Sequence, residues 1–288
     1  MSMDQSVATT AAAAPSGGGS ARLRRAAAQR RNALVDIVSF GVFAAVLGWL
    51  VMRGAGSMGY NWQWHRLPRY LWRTIDGQLI WGPLMKGLFV TLQISAVAMV
   101  LALAIGLATA LLRLSPSIVG RGLARVYLEV IRNTPLLVQV LVFYFIIGQI
   151  LVIPRFWAGV LCLAFYEGAF VAEIIRGAII AVRRGQWEAA RSLGLGPVSV
   201  YRDVVLPQAV PLMLPPLAGV LVNLVKHSAI VSVIAIFDLT TEGRTLVSDT
   251  FMAFEIWITV AGLYLSVTLL LSLAVLGLER RVRRAQGA

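Results

Sequence analysis

The sequence is poor in the residues from which most catalytic and metal centres are built. Its one cysteine, Cys162, sits in an apolar run, which excludes an intrachain disulfide and suits a small buried hydrophobe better than a reactive thiol. Two histidines, His65 and His227, are too few for a metal-ligand cluster. Lysine is almost missing: Lys86 follows Met85 and Lys226 follows Val225, whereas a phosphate-binding loop needs glycine ahead of lysine so that backbone amides can wrap the phosphates. No catalytic residue, metal site or bound cofactor is therefore expected, and the chain reads as a non-enzyme. Charge is scarce too, at 14% of 288 residues against 58% hydrophobic, with a mean hydropathy of +0.78. Such a composition excludes an ordinary soluble domain and indicates a membrane protein.

The net charge of +13 does not point to nucleic acid, because the 26 lysines and arginines fall in short clusters between apolar spans. Residues 1–33 begin with Ser, Thr and Ala, pass through Pro15–Ser20 and end in five arginines. They read as a disordered basic tail beside anionic lipid headgroups. Leu34–Met52 is an apolar run of 19 residues, longer than the roughly 7–15 residues of a signal-peptide core, so a retained helix is favoured over a cleaved signal. The connection to residue 86 carries Trp62, Trp64, Trp72 and Trp81 with Tyr60 and Tyr70, residues that favour the membrane interface; it is expected to lie along the outer surface. Further spans are expected at Gly87–Leu112, Asn133–Ile153, Phe156–Ile175, within Gln208–Ile236, and at Ile256–Leu278. The fold class is thus all-α: a polytopic membrane protein of about six transmembrane helices.

Basic residues orient the spans. With the N-terminal tail inside, the inner segments hold 18 of the 26, and both termini are cytoplasmic. Gly185–Pro207 then falls on the cytoplasmic face. Gln186–Leu193 contains good helix formers with Glu188 and Arg191 at i and i+3, Gly194 can end a helix in the left-handed conformation, and Gly196-Pro197 opens a second short helix that Pro207 limits. The outcome is a small helix-turn-helix in which Ala189 and Ala190 leave room for another surface to approach.

The spacing of that stretch resembles the EAA motif of permease subunits of ATP-binding-cassette (ABC) importers: Glu188-Ala189-Ala190, three residues, Gly194, nine residues, Val204, one residue, Leu206-Pro207. The family more often has isoleucine where Val204 stands. The likeness covers roughly Gly87–Arg281. Gly87–Leu92 looks like the opening of the first core helix of amino-acid-type permeases, and Glu129–Gln139 is similar to their E-x-F-R-x-T-P-L-L-V-Q signature. Ala169–Gly177 looks like their A-Y-I-A-E-I-x-R-G run, and Asn223–Lys226 with Ser232–Ile234 resembles their N-L-x-K and S-V-I positions. The chain therefore resembles the permease subunits of polar amino acid uptake systems. That resemblance implies a core over residues 87–281, preceded by an added helix and outer loop (34–86) and followed by a short cytoplasmic tail (282–288). It also implies a bacterial inner membrane, a second permease (identical or related), two ABC ATPase subunits that hydrolyse the ATP, and an extracytoplasmic amino-acid-binding protein. The residues it marks for ATPase coupling are Glu188, Ala189, Ala190, Arg191, Gly194, Leu206 and Pro207.

Charge within the spans calls for a reason, since a carboxylate or ammonium at mid-bilayer costs at least ~2.5–3.5 kcal/mol. Glu167 and Lys226 fall at similar expected depths and could face one cavity, receiving the ammonium and carboxylate of a zwitterion; alternatively they pair and fix helix packing. Gln139, Asn223 and His227 complete the candidate pathway, His227 standing where the family often has Asp or Asn. Glu173 and Arg176 form an expected i, i+3 ion pair. The rival class is an ion-gradient-driven secondary transporter with Glu167 as the ion site. Such folds usually carry internal repeats and interrupted helices, and no repeat is visible in the sequence.

Overall fold

The computed structural model describes residues 35, 38–50, 52–54 and 56–285, with side chains described as far as residue 280. The chain separates between Asn61 and Trp62 into two units. In the first, residues 38–50 and 52–54 are helical (α1), so the span expected at Leu34–Met52 lies partly outside the described residues, and the tail 1–33 wholly so.

The second unit opens with a short helix α2 (Pro68–Leu71) and a two-stranded antiparallel hairpin, β1 (Trp72–Ile75) and β2 (Gln78–Trp81). Strands were not expected here. The signal was Asp76-Gly77, both at positive φ as a tight two-residue turn requires. Leu67, Tyr70 and Leu71 pack against Leu84, Leu88 and Ile256, so residues 62–86 belong with the helical core and not with the N-terminal helix.

The helices that follow are α3 (Pro83–Leu114), α4 (Ile118–Asn133), α5 (Leu136–Ile150), α6 (Arg155–Ala181), α7 (Arg184–Ser192), α8 (Pro197–Ile234), α9 (Leu239–Thr250) and α10 (Ala253–Ala285). Among the described residues, α3, α6, α8 and α10 are each long and apolar enough to cross a membrane; α4 and α5 add a fifth span if that pair, bent by 111°, counts as one. The protein is a polytopic all-α membrane protein.

Three expectations change. Residues 113–132 were expected as an inner connection, but most of them form α4. Ser117 caps its start by accepting from Gly120 N at 3.1 Å, and Tyr127 OH donates to Phe165 O at 2.5 Å, well up the length of α6. Pro135 accounts for the break before α5, because it pushes the preceding Thr134 into extended backbone (φ −111°, ψ 139°). Second, Pro207 does not limit the helix that Pro197 opens. The chain passes through a π-helical segment, Val200–Val205, whose last bond runs from Leu206 N to Tyr201 O, and continues as one 38-residue helix. Pro207, which has no amide proton to donate, stands where the wider turn gives way to the α-helical segment that follows. Third, the loop expected from Asp238 to Glu255 contains α9, capped by Asp238, which accepts from the amides of Thr240 and Thr241 at 3.2 and 2.9 Å.

α6 is the central element and the most buried of the four long apolar helices, and α10 is the least. It lies against α3 through small residues. A Cβ at Gly106 would stand 2.4 Å from Val171 Cγ1, so only glycine admits this approach. Gly106→Ala is expected to lower the thermal midpoint in detergent, corresponding to an overpacking cost of about 1–3 kcal/mol. Gly177→Ala, on the facing helix α6 with nothing within 4 Å of the added methyl, should leave it unchanged or raise it.

Candidate functional site

The stretch 185–207 folds as a helix, a left-handed turn and the start of a second helix. Gly194 takes φ +73°, where a side chain is strained. Its amide donates to Arg191 O at 2.9 Å and that of Leu195 to Ala190 O at 3.3 Å, which closes the end of α7. Trp187 stands edge-on to Tyr201, ring centroids 5.2 Å apart, and holds α7 against the start of α8. Arg191 lines a groove of about 240 Å³ beside them.

The two alanines differ from expectation. Ala190 is only 3% exposed and packs with Ile179, Val182, Val200 and Val205 of its own chain, whereas Ala189 is exposed. Helical geometry separates them: adjacent residues point about 100° apart, so one faces the core and the other solvent. Glu188 pairs with Arg184 (3.0 Å, i, i+4) and not with Arg191, and its side chain is 63% exposed. Leu206 is exposed, and Pro207 lines a cavity of about 490 Å³ between the end of α6 and the start of α8.

The membrane candidates divide. Glu167 is 2% exposed and hydrogen-bonded to His227, Oε1 to Nδ1 at 2.6 Å, with Tyr166 edge-on to the imidazole. With Asn223, these two line a cavity of about 370 Å³ whose wall also includes Phe170, Glu173 and Pro216. Lys226 is not among the lining residues: Asn223 and His227 share one face of α8 at i and i+4, and Lys226 projects about 100° away, exposed. The expected Glu167–Lys226 juxtaposition is thereby corrected to Glu167–His227.

Gln139 also lies elsewhere. Its Nε2 donates to Ile131 O, Thr134 O and Thr134 Oγ1 at 2.8, 3.0 and 2.7 Å, fastening the break between α4 and α5. Its Oε1 is buried with no partner among the described residues. Glu173 forms the expected pair with Arg176 at 2.7 Å and also holds Arg113 of α3. That second partner is 60 residues away in sequence and carried no local signal.

A helical bundle with a buried Glu167–His227 pair and a helix-turn-helix at one end suits many transporters, and the family comes from comparison. Residues 101–284 match the model of the family described as the binding-protein-dependent transport system inner membrane component. The chain belongs to this family. Among relatives of the permease, the probable glutamine ABC transporter permease protein GlnM of Bacillus subtilis (strain 168) is 38% identical over 70% of this chain and 94% of its own length. The glutamine transport system permease protein GlnP of Escherichia coli (strain K12) is 37% identical over 72% and 98%. A crystal structure of an amino acid ABC transporter with histidines matches at 41% identity and a TM-score of 0.65, over 69% of this chain and 94% of that one. The MetNI methionine ABC transporter, at 21% identity and a TM-score of 0.59, shares the fold.

Within the permease, Glu167 and His227 are expected to act as one unit. In a double-mutant cycle of Glu167→Gln and His227→Gln, read by thermal unfolding of the purified protein, the effects should depart from additivity by about 0.5–3 kcal/mol. Simple additivity would mean that the 2.6 Å contact carries no energy.

Proposed function

We propose that this permease is half of the translocation pathway of an ATP-driven amino acid importer and is coupled to a separate ATPase subunit through Gly185–Pro207. The observation that carries the reading is the closed helix-turn-helix at Gly194, whose exposed side presents Glu188, Ala189, Arg191 and Leu206. Ala190 is the buried root that ties it to α6 and α8. The naming of two relatives for glutamine supports an amino acid as the cargo. The proposed assembly holds two permeases, identical or related, two ATPase subunits on the cytoplasmic side with both termini of this chain, and an extracytoplasmic amino-acid-binding protein. ATP is hydrolysed by the partner, and this chain binds no cofactor.

The packing supports an alternating-access cycle. Closure of the ATPase pair displaces the two helix-turn-helix elements, and each moves as a body with the inner ends of α6 and α8, because one apolar cluster runs from Ala102 through Ile179 and Ala190 to Val220. The cavity at Glu167, Asn223 and His227 lies between those same two helices, so their displacement changes its access. Glu167 and His227 supply a carboxylate and an imidazole to the ammonium and carboxylate of the substrate, and Asn223 supplies an amide. The roles given to Lys226 and Gln139 change accordingly: the first projects away from this cavity and the second fastens the α4–α5 break. That break is an interrupted span of the kind associated with secondary transporters, yet it occurs here in a member of a binding-protein-dependent family.

In proteoliposomes containing the assembled transporter, Gly194→Val is expected to let ATP hydrolysis continue while uptake falls about tenfold or more, a barrier change of roughly 1.4 kcal/mol. Normal uptake by that variant would count against the coupling role. Glu167→Gln should abolish the stimulation of ATP hydrolysis by substrate; unchanged stimulation and uptake would remove Glu167 from the pathway.

A further inference from the structure

Before the first long helix, the hairpin carries a largely exposed apolar face. In its register Trp72 stands opposite Trp81 and Thr74 opposite Leu79, and these four side chains share one face, while Arg73, Ile75, Gln78 and Ile80 share the other. On the first face, Trp72 is 48% exposed, Trp81 42% and Leu79 56%. The second face carries the exposed Arg73, Ile75 and Gln78 and the half-buried Ile80, and is the more polar of the two. The hairpin is fixed at its base. Gly82 N donates to Leu71 O at 2.8 Å, and a Cβ at Gly82 would stand 2.3 Å from Tyr70 O. An isolated two-stranded ribbon is marginal in water, so an exposed apolar face on one needs a further contact.

Two observations bear on what makes that contact. Trp81 meets Phe89 edge-on at 5.8 Å, and Phe89, 49% exposed, begins an outward stripe on the spanning helix α3 that passes the polar Gln93 one turn on and continues apolar through Ala96, Val100, Ala104, Leu107 and Leu111. Through Phe89 the hairpin's apolar face joins the largely apolar exposed side of a membrane span. At the same end of the bundle, Trp62 stacks on Trp64 and lies 5.5 Å from Phe254 at the start of α10, the span with the most exposed apolar surface. Tryptophans gathered at the same ends of two spans are the signature of the headgroup level, where an amphipathic ring has its apolar body in the chains and its N–H toward water.

We propose that the β1–β2 hairpin is an interfacial anchor: Trp72, Trp81 and Leu79 sit in the bilayer at the end of the permease opposite α7, with Arg73 and Gln78 turned to water. The family match begins at Leu101, beyond the hairpin, so the anchor is additional to the matched region. It would fix the depth of the outer end of α3 while the inner ends of α6 and α8 move.

The test uses the full chain in lipid nanodiscs, with single cysteines introduced at Leu79 and Gln78 and carrying a nitroxide; native Cys162 is fully buried and should stay unlabelled. Collision with oxygen, which concentrates in the bilayer, is compared with collision with a water-soluble nickel chelate. The expected result is an oxygen-to-nickel ratio severalfold higher at Leu79→Cys than at Gln78→Cys, and a Leu79→Cys ratio reduced by Trp72→Ser/Trp81→Ser. Equal, nickel-dominated ratios at the two sites would overturn the proposal. So would a Leu79→Cys label shielded from both reagents, because the face would then be covered by protein.

Discussion

The close approach of α3 to α6 at Gly106 is the constraint on which the rest depends. With no Cβ there, Val171 and the backbone at Ala172 come against α3, and α6 becomes the most buried span among the described residues. A span with protein on most of its sides can hold Glu167 at 2% exposure midway along its length. The same helix carries Ile175 and Ile179 downward into the cluster that seats Ala190 and Val200, so one packing decision positions both the cavity and the turn at Gly194.

Electrostatics within the bundle follow that placement. The carboxylates of α6 face different partners at two levels. Glu167 meets a single imidazole from α8, while Glu173, nearer the α7 end of the helix, holds guanidinium groups from α3 and from its own helix. Charges inside a membrane are satisfied by pairing, and here the upper pair lines a cavity while the lower one ties helices together. Gln139 does a related task without charge, since its amide closes on three acceptors where Pro135 interrupts the backbone.

Much of this was legible in the sequence because it depends on local chemistry. Uncharged runs marked the spans, Gly194 marked the end of α7, and Glu173 with Arg176 marked an i, i+3 pair. Three kinds of feature were not legible. The continuity of α8 through Pro207 depends on a π-helical segment that no residue pattern announces. α4 has arginines along one side and reads as an inner connection until Tyr127 is seen reaching Phe165. The partner of Glu167 was misassigned by one residue, from His227 to Lys226, because depth along a helix can be counted from sequence but facing depends on which neighbour the helix packs against. The hairpin has a weaker signal still: Asp76-Gly77 is its one local mark, within a segment dominated by tryptophans.

The account stands or falls on Gly185–Pro207 meeting an ATPase. The most direct measurement places a photo-cross-linking amino acid at Ala189, exposed at the surface of α7, and at Leu79 on the hairpin as a control, in cells expressing the complete transporter. A cross-link from Ala189 to the ATPase subunit, with none from Leu79, is the result the account predicts. An ATPase that co-purifies with the permease yet cross-links from neither site, or from Leu79 alone, would contradict it.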